Sequence, residues 1–185
     1  MVLTDREIQS AIEHRHIRIE PTPDVTFYSS TSLDLTLSSF LSVWRTANVP
    51  GLDQVVCPAA EGYQYSQLSK AFSESKQIGP DGYILEPGAF ILGWTHETIE
   101  LPNPSRVAAR IEGKSSLARL AIGIHITAPT IHAGFKGQIQ LEIWNHGPLR
   151  VKLMSGMRVC QLIFEQTLGT PEKGYSGQFF AQTKK

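Results

Sequence analysis

Residues 137–144, Gly-Gln-Ile-Gln-Leu-Glu-Ile-Trp, alternate between apolar and polar side chains. Successive side chains of a β-strand point to opposite sides, so this alternation predicts a strand with one apolar face. The other face is predicted to carry the polar side chains and the indole: Gln138, Gln140, Glu142 and Trp144. Glu142 is therefore a candidate for general acid–base chemistry. An ordinary solvent-exposed strand face is the alternative interpretation.

The same period-two pattern occurs in residues 32–37, where Leu33, Leu35 and Leu37 alternate with polar side chains. It predicts a second strand with one buried face. Further short apolar runs, separated by Gly and Pro, fall at 83–85, 90–92, 98–101, 107–111, 122–126, 149–153 and 159–164. Short strands at such spacing favour an all-β barrel or jelly roll with short helices.

Two helices are predicted outside these strands. Thr4 and Glu7 fit a capping box, which places the start of a helix that ends near residues 14–16. A second, shorter helix is predicted over 68–72, within a Gly- and Pro-rich stretch at about 45–82. We interpret that stretch as an elaborated excursion between strands.

The composition limits the class of protein. The 185 residues suit one globular domain, and 17 basic side chains balance 17 acidic ones. A neutral balance argues against binding duplex nucleic acid or an anionic membrane. The sequence shows neither an apolar signal core at its start nor a membrane-spanning run, so we expect a cytoplasmic protein.

Several kinds of catalytic site lack their motifs. Two cysteines, Cys57 and Cys160, cannot supply a disulfide framework or a four-cysteine zinc site. His96-Glu97 is the nearest approach to a zinc deaminase motif, without a Cys-x-x-Cys partner. The glycine motifs of dinucleotide-binding, P-loop and serine hydrolase sites are missing from the sequence. The sequence therefore predicts no protein-bound metal.

A polar cluster at residues 112–119, Glu-Gly-Lys-Ser-Ser-Leu-Ala-Arg, is the other candidate site. Ser115 or Ser116 is predicted to cap a short helix there, with Lys114 beside an anion site at its start. Helical spacing would put Ser115 and Arg119 on one face. The alternative is a capped helical turn whose Lys and Arg are solvated.

Residues 110–120, 125–128 and 134–142 closely resemble the dCTP deaminase family, which belongs to the trimeric dUTPase superfamily. The similarity extends to residues 32–35, 85–93, 156–157 with 161–162, and 175–178. The resemblance implies a distorted β-barrel that forms a homotrimer with sites between subunits. It also implies hydrolytic deamination of dCTP to dUTP and ammonia without zinc, with Mg²⁺ carried by the triphosphate.

The resemblance implies a role for each matching residue. Glu142 would shuttle protons, Ser115 and the Ala128 carbonyl would hold the attacking water, and Arg119 would stabilise developing charge. A C-terminal segment at about 169–185 would close over the triphosphate. The implied substrate contacts are Lys114, Ser116, Ile126, Thr127, His132, Gln161, Lys173, Tyr175 and Gln178.

His132 departs from the family pattern. The family has an Asp before the Ala-Gly or Pro-Gly pair, where it contacts the sugar 3′-hydroxyl, and this chain has His132-Ala133-Gly134. A histidine lacks the fixed negative charge and titrates near neutrality. Two alternatives stay open. One is an enzyme that also, or only, releases pyrophosphate, which His132 weakens, and the other is a nucleotide-binding regulator with little turnover, which His132 supports. We further regard dTTP as a possible inhibitor.

Overall fold

The computed structural model describes residues 1–45 and 55–175. Its helices are α1 (Asp5–Glu13), α2 (Tyr65–Phe72) and α3 (Ser115–Ala118), with 3-10 turns at Val25–Phe27 and Asn103–Ser105. The first six strands are β1 (Arg18–Glu20), β2 (Tyr28–Ser29), β3 (Ser32–Trp44), β4 (Ser73–Gln77), β5 (Tyr83–Leu85) and β6 (Phe90–Glu100). The other six are β7 (Val107–Gly113), β8 (Ile122–Gly123), β9 (Thr130–Ile131), β10 (Lys136–Asn145), β11 (Val151–Leu153) and β12 (Arg158–Gln166).

Ten of these strands form one antiparallel sheet. Its main path runs β8-β10-β6-β3-β12-β7-β9, while β1 also pairs with β6, and both β2 and β4 pair with β3. The sheet curls into a half-barrel, and β5 pairs separately with β11. The predicted mainly-β fold with short helices is confirmed. No helix in the described residues is long and apolar enough to cross a membrane.

The core lies inside the curl and is built mainly from the long strands. Leu33, Leu35 and Leu37 of β3 are fully buried, as the alternation predicts. The expectation that β3 buries only one face is wrong, because Ser32, Asp34 and Thr36 are buried as well. Side chains from other segments cover this polar face: Asp34 contacts Lys114 and Arg158, and Thr36 contacts Glu97.

The polar side chains inside the sheet have hydrogen-bond partners. Thr36 donates to the buried Glu97 carboxylate through both its hydroxyl (2.7 Å) and its backbone N–H (3.0 Å). Ser32 donates to the Gln161 amide oxygen at 3.0 Å. Buried polar groups that have partners cost little stability, so β3 can bury these polar side chains.

An irregularity of β6 changes the predicted polar face of β10. Gln138 pairs with Thr98 and Gln140 pairs with Trp94, so three residues of β6 lie opposite Ile139. The Ile139 N–H donates to the Thr95 hydroxyl at 2.9 Å. Gln138 is buried, so the accessible polar face of β10 runs from Gln140 to Trp144 and does not include Gln138.

The predicted helices form, with shifted bounds. Thr4 and Glu7 make the capping box of α1, which ends at its C-cap His14. Helix α2 begins three residues before the predicted start at 68. Strand β4 follows it directly and pairs with the end of β3, so part of the Gly- and Pro-rich stretch adds a strand to the main sheet.

Candidate active site

A pocket of about 260 Å³ lies beside the accessible face of β10. Its floor is apolar and includes Ile111, Ile131, Phe135 and Ile139. The rest of its lining comes from β10, from the segment between β8 and β10, and from Tyr175 after β12. These residues are Gln140, Glu142, His125, Ala128, Thr130, His132 and Tyr175. An apolar floor with a few converging polar groups is typical of a small-molecule site.

Glu142 is held in place from two sides. Its backbone N–H donates to the Ile124 carbonyl at 2.9 Å, and its Oε2 accepts the Ile126 N–H at 2.7 Å. The carboxylate is half-buried on the pocket wall. A short hydrogen bond to a charged acceptor is strong and directional, so the loop that leads to Ala128 fixes the orientation of this acid.

His125 lies in the same pocket, although the sequence did not single it out as a site residue. Its Nε2 is 3.9 Å from Oε2 of Glu112. Its Nδ1 is buried and has no hydrogen-bond partner among the described residues. The sequence feature that could have identified His125 is its position directly before Ile126, Thr127 and Ala128, which were expected to lie in the site.

Tyr65 of α2 also approaches the pocket region. Burial raises the pKa of its phenol, and the charge of Glu142 acts in the same direction. Its ring contacts Trp44 edge-on, with centroids 6.5 Å apart. The stretch interpreted as an excursion therefore places an aromatic residue within electrostatic reach of Glu142, which no local pattern indicated.

His132 and Tyr175 form one wall of the pocket. Their rings stack with centroids 5.8 Å apart and an interplanar angle of 17°. The Tyr175 N–H donates to the Ala133 carbonyl at 3.2 Å. Gly134 has φ +88°, and a Cβ there would lie 2.6 Å from the Tyr175 nitrogen, so only glycine suits this approach.

The residues before Tyr175 also lie against their own chain. The Asn103 side-chain amide donates to the Pro171 carbonyl at 3.1 Å. The Arg106 guanidinium donates to the Leu168 carbonyl at 2.6 Å. Lys173 is exposed in this segment, and Gln178 lies outside the described residues.

The polar cluster of residues 112–119 forms a second group that does not line the pocket. Ser115, Ser116 and Arg119 are exposed on and beside α3, and the Arg119 N–H donates to the Ser115 carbonyl at 3.1 Å. The predicted serine cap is wrong. Lys114 occupies the N-cap position, and it makes no side-chain cap.

Two residues expected to contact substrate have partners on β3. The Lys114 ammonium lies 2.6 Å from Oδ1 of Asp34. The Gln161 amide accepts from Ser32 and donates to the Gly113 carbonyl at 3.3 Å. Ile126 and Thr127 are exposed beside the pocket, which leaves their side chains open to solvent.

The described part of the chain has no group of three or more His, Cys, Asp or Glu side chains placed to hold a metal ion. The prediction that the protein does without zinc stays a prediction.

Comparisons with known proteins agree with one another. A family model described as dCTP deaminase-like matches residues 2–167. A protein of Thermobifida fusca named "dCTP deaminase, dUMP-forming" is 35% identical over 96% of this chain and 84% of its own. A protein of the same name from Coprothermobacter proteolyticus is 41% identical over 89% and 82% of the two chains. A "dCTP deaminase" of Rhodospirillum rubrum is 35% identical over 100% and 92%.

A solved structure shares the fold. The crystal structure of 2′-deoxycytidine 5′-triphosphate deaminase from Agrobacterium tumefaciens matches 88% of this chain with a TM-score of 0.67 and 25% identity. The match spans about half of that longer chain (47%). With the family model matching most of the residues and relatives above 30% identity aligned over nearly the whole length, the chain belongs to the dCTP deaminase-like family.

Proposed function

We propose that this protein deaminates dCTP, taken as its Mg²⁺ complex, by hydrolysis without zinc. The observation that carries the proposal is the Glu142 carboxylate, half-buried in a small pocket and oriented by the 2.7 Å hydrogen bond from Ile126. Family membership and relatives named dCTP deaminase support the choice of substrate.

One carboxylate is sufficient for the proton transfers. Glu142 takes a proton from water and gives it to N3 of cytosine, while the resulting hydroxide adds to C4. Glu142 then takes the proton of the C4 hydroxyl and passes it to the amino group, so that the C4–N bond breaks, ammonia leaves and the C4 carbonyl forms. The overall balance is dCTP plus water giving dUTP plus ammonia.

The remaining roles follow the resemblance. Ser115 and the Ala128 carbonyl hold the water, because a fixed donor and acceptor reduce the freedom that the attack must lose. Arg119 compensates charge at the tetrahedral centre. Ser116, Lys114 and Lys173 contact phosphates, while Ile126, Thr127, His132, Gln161, Tyr175 and Gln178 complete the substrate contacts.

We infer that each site is built from two copies of the chain. Glu142 and Ala128 line the pocket, whereas Ser115 and Arg119 do not. A symmetric assembly brings different surfaces of identical chains together. We therefore propose a homotrimer in which the pocket of one subunit meets α3 of its neighbour. The exposed apolar side chains of Leu120 and Ile126, next to the two groups, suit such an interface.

The second candidate activity is release of pyrophosphate by the same site, which would make dUMP the product. Relatives named "dCTP deaminase, dUMP-forming" favour it. His132 weakens it, since a carboxylate expected beside the sugar is replaced by an imidazole. The proposal of deamination is independent of this second step. We also propose that the protein is cytoplasmic and that dTTP inhibits it.

The test is to incubate the purified protein with dCTP and Mg²⁺ and measure ammonia, dUTP, dUMP and pyrophosphate. Ammonia with dUTP supports the proposal, and ammonia with dUMP and pyrophosphate supports the two-step form. Pyrophosphate without ammonia would indicate a diphosphatase. Tight nucleotide binding without any product would overturn the enzymatic proposal in favour of a regulator.

A further inference from the structure

Asp34 is a buried carboxylate with two cations beside it. Its side chain is 6% exposed near the start of β3. Oδ1 lies 2.6 Å from the Lys114 ammonium, and Oδ2 lies 3.5 Å from the Arg158 guanidinium. A charge this buried needs a close partner of opposite sign, so the contact with Lys114 is a fixed feature of the fold.

The two cations, Lys114 and Arg158, differ in their other contacts. Arg158 donates to the Thr26 carbonyl and hydroxyl at 3.0 and 2.9 Å, and its guanidinium stacks over the Phe27 ring. These contacts fix the Arg158 side chain against the first 3-10 turn. Lys114 stands at the start of α3, where its carbonyl accepts the Leu117 and Ala118 N–H groups. Lys114 therefore connects Asp34 to the segment that carries Ser115 and Ser116.

The Lys114 ammonium retains donors for a further acceptor. An ammonium has three N–H groups, and Asp34 takes one of them. The side chain is 24% exposed, in contrast to the buried carboxylate that it contacts. Since Lys114 is a flexible side chain, a contact that holds its tip beside α3 reduces the freedom that would be lost when it binds a phosphate.

We propose that Asp34 is a positioning residue: it anchors the Lys114 ammonium at the start of α3 so that its remaining N–H groups receive a phosphate of the substrate. Arg158 serves as the second cation that keeps the carboxylate compensated. This inference rests on the proposed function. It assigns a role in substrate binding to a strand residue that does not itself touch substrate.

The experiment compares the full-length protein with Asp34→Asn, Lys114→Met and the double variant. Calorimetric titrations measure binding of inorganic triphosphate with Mg²⁺ and, separately, of deoxycytidine. We expect Asp34→Asn to weaken triphosphate binding on the order of tenfold and to leave deoxycytidine binding unchanged. In the Lys114→Met background, Asp34→Asn should cause no additional loss, because its effect passes through Lys114.

Arg158→Gln is the matched control, since it removes the other cation of Asp34 without touching α3. We expect its triphosphate affinity to stay within about twofold of the unaltered protein. Equal weakening of both ligands by Asp34→Asn, or an Asp34→Asn effect that persists in the Lys114→Met background, would overturn the inference. So would an Asp34→Asn variant that binds triphosphate normally.

Amide exchange separates this inference from the proposed function. In the nucleotide-free protein, Asp34→Asn should speed hydrogen exchange at Leu117 and Ala118, and Arg158→Gln should not. Absence of ammonia from the unaltered protein with dCTP would overturn the proposed function, while this exchange result would still decide whether Asp34 anchors α3. Unchanged exchange in Asp34→Asn would count against the anchoring itself.

Discussion

The backbone N–H of Ile126 donates a 2.7 Å hydrogen bond to Oε2 of Glu142. This contact joins the acid on β10 to the loop that carries Ala128, so the proposed proton shuttle is linked directly to the segment of the proposed water acceptor. Any change in the orientation of that loop must also reorient the carboxylate.

Replacing Glu142 with Gln should remove ammonia release and leave dCTP binding largely intact. The amide oxygen can still accept from Ile126, but the amide cannot carry protons between water and the base. We expect turnover to fall on the order of a thousandfold. Glu86→Gln is the control, because Glu86 is exposed and paired with Arg150. A Glu142→Gln variant with most of its turnover would contradict the assigned role.

Replacing Arg119 with Ala should affect the chemical step more than the assembly. The side chain is exposed beside α3, so its removal leaves no buried group without a partner. We expect kcat to fall on the order of a hundredfold while size-exclusion chromatography with light scattering still reports a trimer. Arg150→Ala serves as the control at a distant exposed arginine. Dissociation of the Arg119→Ala assembly would instead indicate a structural role.

Mixing the two inactive variants should restore activity. Suppose that each site takes Glu142 from one subunit and Arg119 from another. In a mixed assembly, some sites then receive native Glu142 from an Arg119→Ala chain and native Arg119 from a Glu142→Gln chain. Random assortment of equal amounts gives about a quarter of such sites. The two variants are refolded together, or incubated until their subunits exchange, and ammonia release is compared with that of each variant alone. No recovery in assemblies shown to be mixed would mean that one subunit supplies both residues.

His132→Asp should shift the products toward pyrophosphate. The change restores the carboxylate that the family resemblance leads us to expect beside the sugar, and it removes the stacking partner of Tyr175. We expect the ratio of pyrophosphate to ammonia to rise on the order of tenfold. His16→Asp, at an exposed position just after α1, is the control. An unchanged ratio would show that His132 does not limit this step.

The two cysteines should differ in reactivity. Cys57 is exposed, whereas Cys160 is buried, and burial together with the charges of Glu97 and Asp34 raises the pKa of its thiol. Because the thiolate is the reactive form, the native protein should react with one equivalent of a thiol reagent, even near pH 9, and the denatured protein with two. Cys57→Ser should abolish native labelling, measured by mass spectrometry. Native labelling of Cys160 would contradict its placement in the core.

The sequence predicted the strands better than it predicted their surroundings. Alternation identified β3 and β10, and the capping box placed the start of α1, because these are local patterns. It failed at Asp34, which is buried on a face expected to be open, because a strand cannot show which neighbours will cover it. It did not single out His125, which lines the pocket, or Tyr65, which lies within electrostatic reach of Glu142, because both placements depend on the packing of distant segments.

Periodicity and short local motifs, which depend only on neighbouring residues, were sufficient to determine the β-rich class and the family from the sequence. They also identified Glu142 as an acid facing away from an apolar face. Only the tertiary structure decided that this acid lies in a pocket with Ala128 and His132, that Lys114 pairs with Asp34, and that Ser115 and Arg119 lie outside that pocket. These relationships depend on the pairing of strands far apart in the chain and on the curl of the sheet, which no local pattern encodes.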